Sequence, residues 1–211
     1  GADNADMFSA EIAGRVERWL LWNCTLTGVA SPTHDNMGFY CSSLQWGGMC
    51  GGSIEGGTDL GDLVRQHHIY PSIRYHSVFR GIQFKTGAGR NYCINSNWDH
   101  TGVDLPEYAE FHLIADCEMT GTIRAHDAGE NLNDPAETLF RNFVFERNRC
   151  HDMTGNYWFL FYCMESYTHR YNEAWGIPGA YFAPSAAEQG SILSSRLYGN
   201  KLYRSAAIAD D

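Results

Sequence analysis

The sequence predicts an all-β solenoid built as a stack of about seven short coils. Three observations carry that expectation. A phrase recurs along the chain: Trp22-Asn23-Cys24-Thr25-Leu26-Thr27-Gly28 is echoed by Ala115-Asp116-Cys117-Glu118-Met119-Thr120-Gly121. Shorter echoes follow at Arg147-Asn148-Arg149-Cys150-His151 and Gly199-Asn200-Lys201-Leu202-Tyr203. Aligning these phrases places marks at residues 24, 52, 82, 117, 148, 172 and 200, spaced by 28, 30, 35, 31, 24 and 28 residues. Periods of this size belong to repeat architectures, in which no single repeat can bury its own apolar face. After each mark, polar and apolar residues alternate with period two, as in a strand with one buried face.

In chain order, residues 1–15 are expected to form an N-terminal cap or a truncated coil, and 16–211 the stacked body. A short helix over Ala5 to Gly14 would cover the open edge of a parallel sheet, which is otherwise a pairing hazard. The favoured alternative is that the chain is a piece of something larger. Val16-Glu17-Arg18-Trp19-Leu20-Leu21 then enters the first coil. The column expected to face inward is Leu26, Ile54, Phe84, Met119, Cys150, Ala174 and Leu202. Its outward neighbours are Thr25, Ser53, Gln83, Glu118, Arg149, Glu173 and Lys201 on one side. On the other they are Thr27, Glu55, Lys85, Thr120, His151, Trp175 and Tyr203, with Trp175 the exception to a polar rule. Gly47 to Gly52 is glycine-rich but lacks a phosphate-loop lysine, and it reads as a turn.

A second strand set lies between the marks. Phe39-Tyr40-Cys41-Ser42 matches Ile69-Tyr70-Pro71-Ser72, Cys93-Ile94-Asn95-Ser96 and Phe182-Ala183-Pro184-Ser185, and Phe159 to Cys163 is the equivalent run in another coil. The coil from 118 to 147 shows no clear member. Trp158, Phe159, Phe161 and Tyr162 form a dense aromatic patch, half of it core by alternation.

Composition agrees with short strands and frequent turns. The chain has 211 residues, 22 of them glycine and 12 tyrosine, and long amphipathic helices are hard to find. Seven cysteines with no CxxC pair argue against a zinc ribbon or thioredoxin-like site, and buried free thiols are expected. A net charge of −10 argues against nucleic acid, whose backbone needs a broad basic surface. No apolar run reaches the length of a membrane span.

The mark residue (Asn or Cys), the polar–apolar–polar run after it and the coil length resemble the right-handed parallel β-helix superfamily of pectate-lyase-like proteins. The resemblance covers residues 16–205, and Asn148, Asn172 and Asn200 look like the stacked turn asparagines of such helices. It implies a polysaccharide partner, often an anionic polyuronate lying along the helix axis, and an extracellular or cell-surface setting. Lyase chemistry on a uronate needs a cation for the carboxylate, a base for the C5 proton and an acid for the leaving oxygen. From Leu63 to Trp98 the chain has no Asp or Glu, while it carries Arg65, Arg74, Arg80, Lys85 and Arg90 with His67, His68 and His76. The expected catalytic set is His68, Tyr70, Arg74, His76 and Arg80, since His suits a base near neutrality and Tyr can donate. The expected substrate contacts are Tyr40, Asn95, Asn97, Trp98, Asp99 and His100.

Hydrolysis by paired carboxylates would draw on Asp99, Asp127, Asp152 or Glu165, but no close acidic pairing supports it. No cofactor is expected. Asp59, Asp62 and Asp99 offer oxygen ligands for calcium, without a calcium-loop motif behind them. The leading expectation is a polysaccharide-binding module capable of β-elimination. The alternatives are a non-catalytic segment of an adhesin, spike or larger extracellular protein, and a uronate C5-epimerase.

Overall fold

A computed structural model describes residues 9–10, 18–27, 39–42, 46–55, 64–68, 75–85, 92–98, 109–121, 124–128, 140–154, 157–161, 164–176, 180–184 and 192–203. Every described element is a strand. In chain order they are β1 (Ser9–Ala10), β2 (Trp19–Thr27), β3 (Phe39–Ser42), β4 (Trp46–Glu55), β5 (Val64–His68), β6 (Tyr75–Arg80) and β7 (Gln83–Lys85). There follow β8 (Tyr92–Trp98), β9 (Ala109–Ala115), β10 (Glu118–Thr120), β11 (Arg124–Ala128), β12 (Phe140–Arg141), β13 (Phe143–Glu146) and β14 (Arg149–His151). The last are β15 (Tyr157–Phe161), β16 (Met164–Arg170), β17 (Glu173–Trp175), β18 (Ala180–Pro184), β19 (Ile192–Tyr198) and β20 (Lys201–Leu202).

Strands pair in parallel with the strand one coil away in sequence, which curls the sheet like a solenoid or half-barrel. A 7-stranded sheet runs β1-β3-β5-β8-β11-β15-β18, and a 13-stranded sheet takes the rest. The expected inward column is reproduced by the register: Leu26↔Ile54, Ile54↔Phe84, Phe84↔Met119, Met119↔Cys150, Cys150↔Ala174 and Ala174↔Leu202. Ile54, Phe84, Met119 and Cys150 are fully buried, whereas Leu202 is 54% exposed. A middle coil is covered on both sides, and the last described coil on one.

The corner between the long and short strands is a single residue in the left-handed region. Asn23, Gly51, Gly81, Asp116, Arg147, Tyr171 and Gly199 hold it, with φ between 50° and 71°. One such residue turns the strand sharply while keeping each coil in register with the next. The mark follows at once. At the second mark a side chain cannot fit, because a Cβ on Gly52 (φ 83°) would lie 2.0 Å from the Cys24 carbonyl oxygen.

The later marks carry asparagine and form a ladder. The backbone N–H of Cys117 donates to Asn148 Oδ1 at 2.9 Å, that of Asn148 to Asn172 Oδ1 at 2.9 Å, and that of Asn172 to Asn200 Oδ1 at 3.0 Å. Each amide also donates back to the preceding coil. Asn148 Nδ2 reaches the carbonyl of Ile114, Asn172 Nδ2 that of Phe145, and Asn200 Nδ2 that of His169, at 3.0–3.1 Å. An asparagine amide offers one acceptor and two donors, which is what a buried corner between two coils requires. Cys117 takes the same place with its thiol toward the carbonyls of Ala115 and Phe79. Burial pushes that thiol up to about 12, so it stays neutral.

Three sequence expectations change here. The register partner of Phe39–Ser42 is Val64–His67 rather than Ile69–Ser72, a segment outside the described residues. The coil from 118 to 147 does have a second-set strand, β11, whose His126 pairs with Ile94 and Phe159 in the apolar column. Within the segment expected as a helical cap, Ser9 and Ala10 are strand, paired with Tyr40 and Cys41.

Asn148→Ala and Asn172→Ala should each cost about 2–4 kcal/mol, because each strands more than one buried backbone group. Asn200→Ala, at the less buried end, should cost about half as much. Denaturant midpoints of the three variants check this, and equal small losses would rule the ladder out as a main source of stability.

Candidate functional site

The expected site residues fall on two sheets. Tyr40, Asn95, Asn97, Trp98 and His68 lie on the small sheet, along β3, β5 and β8, with His68 and Trp98 at positions that alternate with the other three. Arg65 bridges Tyr40 and Asn95 in one register column, His67 pairs with Asn97, and His68 with Trp98. His76 and Arg80 lie on the large sheet, in β6. Tyr70, Arg74, Asp99 and His100 lie outside the described residues, as do the calcium candidates Asp59 and Asp62.

His76 is 8% exposed, with the Trp46 ring 3.7 Å away and Phe111 at 5.2 Å. It belongs to a row of buried histidines that sequence reasoning did not anticipate. His112 stacks on Phe143 at 5.7 Å, Phe143 on His126 at 4.9 Å, and Phe145 lies 6.2 Å from His126 and 4.8 Å from His169. Ser77 Oγ and His112 Nδ1 share a 2.7 Å hydrogen bond, and Tyr167 meets His169 edge-on. Burial holds His112 and His169 down to about 3 and His126 well below its ordinary value. The neighbouring histidines lower His112 and His126 further. These rings are neutral core groups at neutral pH.

Arg80 is exposed and bonds through Nε to Asp116 at 2.8 Å. It starts a ladder of alternating charge up the corner of the stack. Asp116 also accepts from Arg147 Nε at 2.7 Å, Arg147 meets Glu146, and Glu146 meets Arg170, which donates to the Tyr198 hydroxyl at 3.0 Å. The Arg147 and Arg80 hydrogen bonds hold the Asp116 carboxyl below the usual carboxylate range, against the opposing effect of burial.

A second constellation stands on the outer face of the short strands. The register aligns Glu118, Arg149, Glu173 and Lys201 in one column, and Thr120, His151 and Trp175 in the next. The Arg149 guanidinium lies between Glu118 and Glu173, at 3.7 and 3.9 Å, and sits 5.3 Å from the centre of the Trp175 ring. His151 stacks on Trp175 at 4.5 Å with the rings 2° from parallel. Its Nδ1 is 2.7 Å from Asp152 and its Nε2 3.3 Å from Glu118. The Tyr203 hydroxyl donates to Glu173 Oε1 at 3.0 Å, a bond that raises the phenol's pKa. Planar groups spaced by one coil are thus held around an aromatic plate. Exposed ion pairs such as these contribute little to stability. Its sequence signal was the alternating charge of the first outward column and the misfit of Trp175 in the second.

Among the described residues no group of three or more His, Cys, Asp or Glu side chains could hold a metal ion. No described helix is long and apolar enough to cross a membrane. Comparisons with protein-family models, curated proteins and solved structures each return no match. The chain is defined by its fold class alone: all-β, parallel and solenoid-like.

The buried histidines make stability depend on pH. The unfolded chain takes up protons below about 6.5, while the folded one resists them down to about 3. Stability is therefore complete above that range and falls as pH drops through it, at about 1.4 kcal/mol per pH unit for each buried ring. His126→Phe should remove one such contribution, giving a shallower fall in denaturant midpoint between pH 6.5 and 4.5. Equal slopes for both chains would show that the row does not govern acid stability.

Proposed function

We propose that the chain is a right-handed parallel β-helix of about seven coils that binds a polysaccharide outside the cell or at its surface. The saccharide lies along the axis on the outer face of the short strands. One observation carries the reading: Trp175, with His151 and Arg149 packed on it, is flanked by Glu118, Asp152, Glu173 and Tyr203. A sugar ring has an apolar C–H face that suits an indole and an equatorial rim of hydroxyls that suits carboxylates and guanidinium groups. Because the columns repeat at about 4.8 Å per coil, a linear glycan can meet equivalent positions on successive coils.

Binding is placed ahead of cleavage on a physical ground. Both ring nitrogens of His151 already face carboxylates, and Arg149 is shared by two glutamates, so the histidine and the arginine of this face are both engaged. β-Elimination on a uronate is the second reading. It draws on Arg80, an exposed cation within the acid-free stretch, as the group that would neutralise the substrate carboxylate.

A panel of neutral and acidic oligosaccharides, titrated by calorimetry, tests the first reading. At least one should bind, and Trp175→Ala should weaken it about ten-fold or more through loss of stacking. Retention of full affinity by that variant would place the binding face elsewhere. The second reading predicts growth of the ultraviolet absorbance of an unsaturated uronide on mixing, and a flat trace on every polyuronate would remove it.

A further inference from the structure

A hollow of about 360 Å³ opens at the corner of the first coils, lined by Trp22, Asn23, Cys50, Gly51, Arg80 and Gly81. The register explains its shape. Trp22, Cys50 and Arg80 are successive members of one outward column. Trp22 and Arg80 therefore stand two coils apart, about 10 Å between backbones. Trp22 is 73% exposed, more than the other exposed aromatics of the stack, among them Trp46 at 48% and Tyr171 at 56%. Gly51 and Gly81 form the floor between the two walls.

Packing does not require those glycines. A Cβ on Gly51 would meet nothing nearer than 3.5 Å, and one on Gly81 nothing nearer than 3.9 Å. The same left-handed corner carries Asn23, Asp116, Arg147 and Tyr171 in other coils, with φ from 50° to 57°. Where the corner bears side chains it is filled, and where it bears two glycines in succession it is empty.

Charge says what fits. Along the corner ladder Arg147 meets the two carboxylates of Asp116 and Glu146, and Glu146 meets two arginines. Arg80 is the first cation of the ladder and, among the described residues, bonds to Asp116 alone, through Nε. On its other side, where the alternation calls for the next acid, lies the hollow. The field of Arg80 reaches into it, since its charge acts against the effect of burial on the Cys50 thiol.

We propose that this hollow is a binding site for a carboxylate carried on a single six-membered ring. The carboxylate takes the terminal guanidinium nitrogens of Arg80 and so continues the ladder, and the ring lies over the glycine floor against Trp22. A bidentate guanidinium–carboxylate pair sets orientation, and the indole supplies the apolar contact. The volume lies at the small end of the usual range for ligand pockets, which fits one ring rather than an oligomer. The site is separate from the Trp175 face and does not depend on it; it shares Arg80 with the β-elimination reading, whose own test is the absorbance of an unsaturated product.

Benzoate and galacturonate are the acidic probes, with benzamide and galactose as neutral counterparts, titrated by NMR with the indole N–H resonances as readout. At least one acid should saturate and shift the Trp22 indole, and its neutral counterpart should bind about ten-fold more weakly or not at all. Saturation by benzoate marks an aromatic acid as the class, and saturation by galacturonate a sugar acid. Arg80→Gln should weaken the acid about ten-fold. Gly81→Asn, a residue the corner carries once, at Asn23, should fill the floor and weaken it similarly without lowering the melting temperature by more than a few degrees. Trp175→Ala should leave the titration unchanged. Equal binding of acid and neutral probes, no shift with either acid, or full affinity in both Arg80→Gln and Gly81→Asn would overturn the proposal. So would concentration-dependent dimerisation that buries Trp22, since the hollow would then belong to a second copy of the chain.

Discussion

Everything described above depends on one constraint, the in-register contact between a coil and the next. A parallel coil cannot satisfy its own backbone or bury its own apolar column, so both jobs fall to its neighbours. The corner is where this is hardest to arrange. A left-handed residue turns the chain there, leaving amide and carbonyl groups that point along the axis rather than into a strand ladder. The asparagines at 148, 172 and 200 answer both, accepting from one N–H and donating to one C=O of the preceding coil. Once the corner is fixed, the inward column stacks side chain on side chain, and every outward column becomes a line of groups at one-coil spacing.

That spacing explains why charge and aromatic residues matter more on this surface than their individual strengths allow. A lone exposed ion pair is worth little. Here Arg80, Asp116, Arg147, Glu146 and Arg170 form a continuous alternating line, so each charge is oriented by neighbours above and below. The same geometry lays His151 flat on Trp175 and hangs Arg149 beside it. Rigid stacking provides pre-organised groups for a ligand without ordering loops at the moment of binding.

The sequence made the short-strand columns legible because their alternation is strict and the mark precedes each one. It made the small sheet less legible. β11 reads Arg124-Ala125-His126-Asp127-Ala128, and its apolar-column member is a histidine that the core keeps neutral. A polar letter in a buried place hides a strand from any pattern of apolar residues. The same disguise made His76 look like site chemistry, although Trp46 and Phe111 cover it. The small-sheet candidates Tyr40, Asn95, Asn97, Trp98 and His68 lie on three neighbouring strands, with His68 and Trp98 at register positions that alternate with those of Tyr40, Asn95 and Asn97. The faces around Trp175 and Trp22 were not legible as sites, because their members come from different coils, Glu118 and Tyr203 being 85 residues apart in sequence, and converge only through the stack.

The central claim is that one ruler orders the chain, each mark one coil above the last. Spin labels carried on non-natural residues avoid the seven native cysteines and can be placed in the first outward column. With one label at Lys201 and the other at Thr25, Ser53 or Gln83, the backbone separations should be about 29, 24 and 19 Å, a step of one strand spacing per coil. Pulsed electron–electron resonance reads these distances directly. Equal steps of about 5 Å are the result expected. Distances that do not shorten in order, or that scatter without a common step, would contradict the stacked register on which the fold and both proposed sites rest.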